Sequence, residues 1–176
     1  KQIYEGISQG KAISEITNIS KNLKEKLLQQ YNDFPLSLHT KLVGKDGTVK
    51  YVYKLCDGNI IEGVFMSYKY GNTLCVSTQV GCRMGCKFCA STLGGLVRHL
   101  KASEMLEQIY EIERITGETV SNVVVMGTGE PMDNYDNFVR FVRILSAKEG
   151  KTIEETTQEY INLIDKEIEK ELSKKE

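Results

Sequence analysis

Three cysteines within eight residues, in the run Gly81-Cys82-Arg83-Met84-Gly85-Cys86-Lys87-Phe88-Cys89, constrain this chain more than any other feature. The spacing is Cys, three residues, Cys, two residues, Cys, with an aromatic residue before the last. A segment that also carries Arg83, Lys87 and two glycines makes a poor core element, so its thiols are not simply small buried hydrophobes. Three thiolates can each hold one iron of a [4Fe–4S] cluster and leave the fourth iron open to an outside ligand. A structural zinc ion would instead close its coordination with four protein ligands. The spacing therefore points to a cluster with a vacancy. Gly81 and Gly85 suit such a loop, because glycine lets the backbone wrap closely round a compact cofactor.

Composition narrows the setting. The chain has 176 residues, 40% hydrophobic and 27% charged, as in an ordinary globular protein. A formal net charge of −1 means that no global basic field advertises a nucleic-acid partner. No apolar stretch approaches the roughly 20 residues of a membrane span, and the first residues lack a signal-peptide pattern. An odd cysteine count, with three of the five clustered, argues against a secreted disulfide framework. A reducing cytoplasm is the expected compartment.

Four segments are expected. Residues 1–38 read as helical, with Ile13, Ile16, Ile19, Leu23, Leu27 and Leu28 at helix spacing and Asn32-Asp33-Phe34-Pro35 as the stop. Residues 39–72 read as a small antiparallel meander, with Asp57-Gly58 and Gly71-Asn72 as turns. From residue 73 to 150 the grammar is strand, loop, helix, strand, loop, helix, that of a parallel sheet. Thr73–Val80 reads as one strand running into the cysteine loop, and Ser103 as the cap of a helix over 104–116 that ends at Gly117. Ser121–Met126 reads as a strand buried on both faces, and residues 135–147 as a helix with Phe138, Val139, Val142 and Leu145 inward. Residues 151–176 read as a charged amphipathic helix with an apolar stripe from Ile153 to Leu172. In parallel sheets ligands gather at the C-terminal ends of strands, where the cysteine loop and Gly127-Thr128-Gly129-Glu130-Pro131 both fall.

The cysteine run resembles the signature of radical S-adenosylmethionine (SAM) enzymes. In that family SAM chelates the open iron, and an electron from the cluster cleaves it to a 5′-deoxyadenosyl radical. The flanking runs Thr73–Gly81 and Cys89–Gly95, together with Val124–Pro131, are similar to the RNA adenine-C2 methyltransferases, which act on 23S ribosomal RNA and some tRNAs. The resemblance extends to about Gly150 and leaves 151–176 aside. It implies an α/β chain: an N-terminal helical piece, a β meander, then the first part of a partial (β/α)6 barrel. It also implies a [4Fe–4S] cluster, SAM, an electron donor and an RNA substrate.

Residue by residue, the resemblance makes Cys82, Cys86 and Cys89 the cluster ligands and Phe88 the aromatic beside the SAM adenine. Gly129 and Glu130 match the Gly-Glu that binds the SAM amino group, a carboxylate opposite an ammonium. Cys75 matches a cysteine that resolves a covalent RNA adduct and ends in a transient disulfide, and Glu62 matches a proton acceptor. Taken without the resemblance, Cys75 is a buried strand thiol and Glu62 an exposed meander glutamate. Arg83, Lys87, Arg98, His99 and Lys101 are candidate RNA contacts, or equally a solvated face. The family's second catalytic cysteine, which carries the transferred methyl group, has no counterpart after Cys89, so this chain alone is expected not to methylate RNA. The alternative is a structural zinc module in which Cys75, Cys82, Cys86 and Cys89 staple an RNA- or protein-binding domain.

Overall fold

The computed structural model describes residues 2, 3, 6, 11–30 and 36–148, so the stop signal at 32–35 and the segment 151–176 lie outside the described residues. The meander forms as expected from β1 (Leu36–Val43), β2 (Val49–Leu55) and β3 (Ile60–Tyr68), joined in antiparallel register. Both turns are closed by aspartates. Asp46 Oδ1 accepts from the Thr48 N–H at 3.0 Å, and Asp57 Oδ1 accepts from the Asn59 N–H at 3.0 Å. The next turn falls at Lys69-Tyr70, two residues before the expected Gly71-Asn72. Gly71 pairs with Tyr68 and opens β4 (Gly71–Cys75).

One sheet holds the order β1-β2-β3-β4-β7, with β7 (Val120–Val124) parallel to β4. Period-two alternation sorts its side chains to two faces. Leu36, Tyr51, Tyr53, Leu55, Ile61, Phe65 and Leu74 are buried, and register places them on one face. That is the side helix α2 (Ala102–Thr116) covers with Met105, Leu106, Ile109 and Ile112. Each such side chain stabilises the fold by about 1.5–3 kcal/mol through removal of apolar surface from water. The other face carries Lys50, Glu62, Val64 and Cys75 and is only partly covered.

Three expectations are corrected. The run Thr73–Val80 is not one strand. Val76, Ser77 and Thr78 leave the ladder, and β5 (Gln79–Gly81) pairs with β6 (Leu96–His99) in a separate two-stranded sheet. The break is stable because other groups satisfy its backbone, chiefly the Gln108 side chain at Ser77 and Thr128 O at Thr78. Strand β7 is not buried on both faces. It is an edge among the described residues, with Ser121 and Asn122 exposed in the middle of the strand and Val123 and Val124 only half-buried. Over the described residues 11–30 the N-terminal segment is not one continuous helix but a 3-10 turn at Ile13–Glu15 and α1 at Lys21–Gln30. Ser20 starts the second, its Oγ accepting from the Leu23 N–H at 3.3 Å.

Helix α2 is capped by Lys101 rather than Ser103. Glu104 reaches back to accept from the Lys101 N–H at 2.8 Å, and Gly117 closes the other end in the left-handed conformation, φ +70°. Helix α3 spans Tyr135–Lys148, and its buried apolar residue is Phe141, whereas Phe138, Val139, Val142 and Leu145 are half-buried. The chain divides into two units between Phe138 and Val139, and everything that forms the site belongs to the first. No described helix is long and apolar enough to cross a membrane.

Candidate functional site

Strands β4 and β7 run in parallel as neighbours, so the loops leaving their C-terminal ends emerge side by side. After β4 the chain passes through β5 into the cysteine loop. Gly81 sits at φ +71°, and a Cβ there would lie 1.9 Å from Gly95 O, so only glycine permits this crossing of the loop's two ends. The crossing is fixed by the Cys82 N–H donating to Gly95 O at 3.1 Å. Cys82 is buried, Cys89 half-buried and Cys86 exposed, and none of the five cysteines is in a disulfide. Phe88 projects into solvent, 95% exposed.

The loop after β7 is tied to β5. The Thr78 and Gln79 N–H groups both donate to Thr128 O, at 2.9 and 3.1 Å. Ser77 Oγ accepts from the Thr128 N–H at 2.8 Å and itself donates to Glu62 O at 2.6 Å. Gln79 Oε1 accepts from the Glu130 N–H at 2.8 Å. Gly129 lies at φ +108°, and a Cβ there would come within 2.8 Å of the Gln79 nitrogen, so this loop needs glycine to approach β5. One Glu130 oxygen accepts from the Met132 N–H at 3.0 Å and so caps the 3-10 turn Pro131–Asn134. Asn134 then anchors that turn, its Nδ2 donating to Thr78 O and Leu100 O at 2.8 Å each.

Cys75 and Glu62 are carried by strands β4 and β3, on the open face of the main sheet. Cys75 stands opposite Val64 in the β3–β4 register, and Glu62 is two residues along β3 on the same side. Burial pushes the Cys75 thiol up, the nearby Glu62 charge pushes it further, and the Met126 backbone hydrogen bond works against both. Glu62 pairs with Lys50, itself half-exposed.

Two of the basic residues near the loop are held in ion pairs. Arg83 pairs with Asp133, its Nε lying 3.1 and 3.0 Å from the two carboxylate oxygens. Arg98 joins Asp57 at 2.6 Å and the buried Glu104 at 2.8 Å, which raises the Arg98 pKa and holds the Asp57 carboxyl down at about 2. Arg83 and Arg98 are thus ion-paired. Lys87 and Lys101 remain exposed.

The residues that sequence reasoning missed are the buried polar ones: Ser77, Gln79, Gln108 and Asn134. Ser77 and Gln79 lie in the run Thr73–Val80 that reads as one strand, where polar residues at alternate positions are ordinary. Their signal was the wish for a polar partner that the sequence alone does not reveal.

The donor set fits a polynuclear cluster better than a single ion. A zinc ion with bonds of about 2.3 Å would draw its thiolates into mutual contact, whereas in a cluster each thiolate sits on its own iron. Among the described residues no three His, Cys, Asp or Glu side chains converge closely enough to hold one metal ion. Cys75, the fourth ligand of the zinc alternative, is built into β4 with Val64 and Val124 as register partners. Three free thiols on one glycine-kinked loop, with a carboxylate-bearing loop bonded to the strand before it, fit a cluster and an amino-acid ligand.

The comparisons agree. Curated relatives include a probable dual-specificity RNA methyltransferase RlmN of Lachnoclostridium phytofermentans, 54% identical over 156 residues, 87% of this chain and 44% of that protein. One of the same description from Lachnospira eligens is 52% identical over 158 residues, 86% of this chain and 44% of that protein. The chain therefore spans less than half the length of these relatives. A crystal structure of a radical SAM methyltransferase from Sphaerobacter thermophilus superposes with a TM-score of 0.74 at 38% identity, covering 82% of this chain and 44% of that one. Residues 76–174 match the Radical SAM superfamily profile, a span that takes in the cysteine loop, the Gly-Glu loop and most of the segment 151–176. With more than half its length matched, and with the cysteine loop and the Gly-Glu loop bonded together as described, this chain belongs to the Radical SAM superfamily.

Proposed function

We propose that this chain is the cluster-bearing part of an RNA adenine-C2 methyltransferase acting on ribosomal RNA and tRNA in the cytoplasm, supplied with electrons by a separate donor protein. The observation that carries the reading is the bonding of the Gly127–Glu130 loop to β5, the strand that leads directly into Cys82. Cys82, Cys86 and Cys89 hold the cluster, and the Glu130 carboxylate, with the Gly129 backbone, receives the SAM amino group. When bound, the [4Fe–4S] cluster supplies the electron that cleaves SAM reductively.

The open face of the main sheet provides the remaining groups. Glu62, paired with Lys50, takes the proton lost from the adenine carbon. Cys75, whose thiol pKa burial pushes up, is this chain's half of the transient disulfide: its sulfur bonds to the methyl-carrying cysteine as the carbon–sulfur bond there breaks, and the electron pair and a proton leave with the product. The dual specificity named for the RlmN relatives supports the choice of RNA substrates.

The test is a titration of SAM against the reconstituted, reduced chain, followed by the magnetic resonance spectrum of the cluster. SAM should change the spectrum, and Glu130→Ala should require at least about tenfold more SAM, the scale expected for loss of a hydrogen bond to a charged group. A spectrum unmoved by saturating SAM would remove this reading.

A further inference from the structure

A line of polar contacts joins the two loops through residues to which the family reading gives no role. Gln79, fully buried on β5, accepts from the Glu130 N–H at 2.8 Å through its side-chain carbonyl. Its amide nitrogen donates to Asp133 Oδ2 at 2.9 Å and lies 3.0 Å from His99 Nδ1. Only one orientation of the amide satisfies this arrangement, since a carboxylate can only accept and a backbone N–H can only donate. Asp133 in turn receives the Arg83 fork, through Nε at 3.1 and 3.0 Å and through Nη2. Arg83 lies inside the cysteine loop, next to Cys82. Asp133 lies three residues beyond Glu130.

We propose that Gln79 and the Arg83–Asp133 ion pair form a latch that holds the Gly129–Glu130 loop in register with the cysteine loop. The three are positioning residues: Gln79 holds the Glu130 backbone from beneath, and Arg83 pulls the following turn toward the cysteines. The proposal rests on the reading of Glu130 as the SAM amino site. Its mechanical content stands apart from that reading. The Arg83 side chain is 62% exposed, and exposed ion pairs contribute little to global stability. Loss of the pair should therefore loosen one loop and leave the fold intact.

Two measurements on the chain test this. Hydrogen exchange without the cluster, followed over residues 128–133, should be roughly five- to tenfold faster in Arg83→Met and Asp133→Asn, at an unchanged thermal midpoint, as expected for loss of a charge-assisted contact. The double variant should be no faster than Asp133→Asn alone, because the ion pair that Arg83→Met removes is already lost there. In the reconstituted chain the same variants should keep wild-type iron content but need several-fold more SAM to change the cluster spectrum. Exchange over 128–133 equal to wild type would overturn the latch, as would an unshifted SAM titration in a chain whose wild type responds to SAM. If the wild-type chain takes up no cluster, the functional reading falls, and the exchange result still decides the latch.

Discussion

Cys75 and Glu62 share the open face of the main sheet, the cysteine opposite Val64 on the neighbouring strand and the glutamate two residues along from Val64. The two side chains that the family resemblance assigns to proton transfer and adduct release are thereby held by rigid strands, while the cofactor-binding residues sit on loops. Antiparallel register, set by the hairpin turn at Lys69-Tyr70, brings them together.

The Cys75 thiol should respond to Glu62. Burial raises its pKa first and the Glu62 charge adds to this, so Glu62→Gln removes one of the two causes and the thiol should ionise at lower pH. The pH profile of iodoacetamide labelling at Cys75, read by peptide mass spectrometry, should move downward in the variant. An unmoved profile would mean that the carboxylate does not act on the thiol.

Gln108 should matter for stability well beyond its place on a helix. It is fully buried, accepts from the Ser77 N–H at 2.9 Å and donates to Ser77 O at 2.9 Å, so it satisfies both backbone groups of Ser77 at the strand break. Gln108→Leu keeps the volume but strands both backbone groups, at a cost of about 1–3 kcal/mol for each buried group left unpaired. Denaturant unfolding should show the midpoint falling with little change in slope. A variant as stable as the parent would mean that the backbone of Ser77 finds partners elsewhere.

Acid should weaken the link between the meander and β6. Arg98 depresses the Asp57 carboxyl from 3.8 to about 2, so the contribution is whole above the unfolded value and fades as pH falls from about 4 toward 2. Thermal midpoints of Asp57→Asn should lie below the parent at neutral pH and converge with it toward pH 2. Parallel curves across that range would contradict the assignment. The side chain is partly exposed, so the difference at neutral pH should be small.

Much of this molecule is legible in its sequence. The meander follows from alternating Val49, Tyr51, Tyr53 and Leu55 and from Asp-Gly turn chemistry, both local signals. Helix α2 follows from its apolar spacing and from Gly117. What escaped is tertiary in origin. The Thr73–Val80 run has strand propensity throughout, and its break is stabilised by groups distant in sequence, the side chains of Gln108 and Asn134 and the carbonyl of Thr128. The apolar stretch at Val123–Val125 signals double-sided burial, yet it lies at a sheet edge among the described residues. At the site, the cysteines and the Gly-Glu pair stand out because their chemistry is rare. Gln79, Asp133 and Arg83 do not, because common polar residues reveal a role only through what they touch.

The central claim is that Cys82, Cys86 and Cys89 hold a [4Fe–4S] cluster and Cys75 does not. The direct measurement is iron, sulfide and zinc per chain after anaerobic reconstitution, with Mössbauer spectroscopy of the iron. The account predicts about four irons and four sulfides per chain, lost on changing any of the three loop cysteines to Ala and retained in Cys75→Ala. Stoichiometric zinc that disappears in Cys75→Ala, with no iron–sulfur signal, would contradict it.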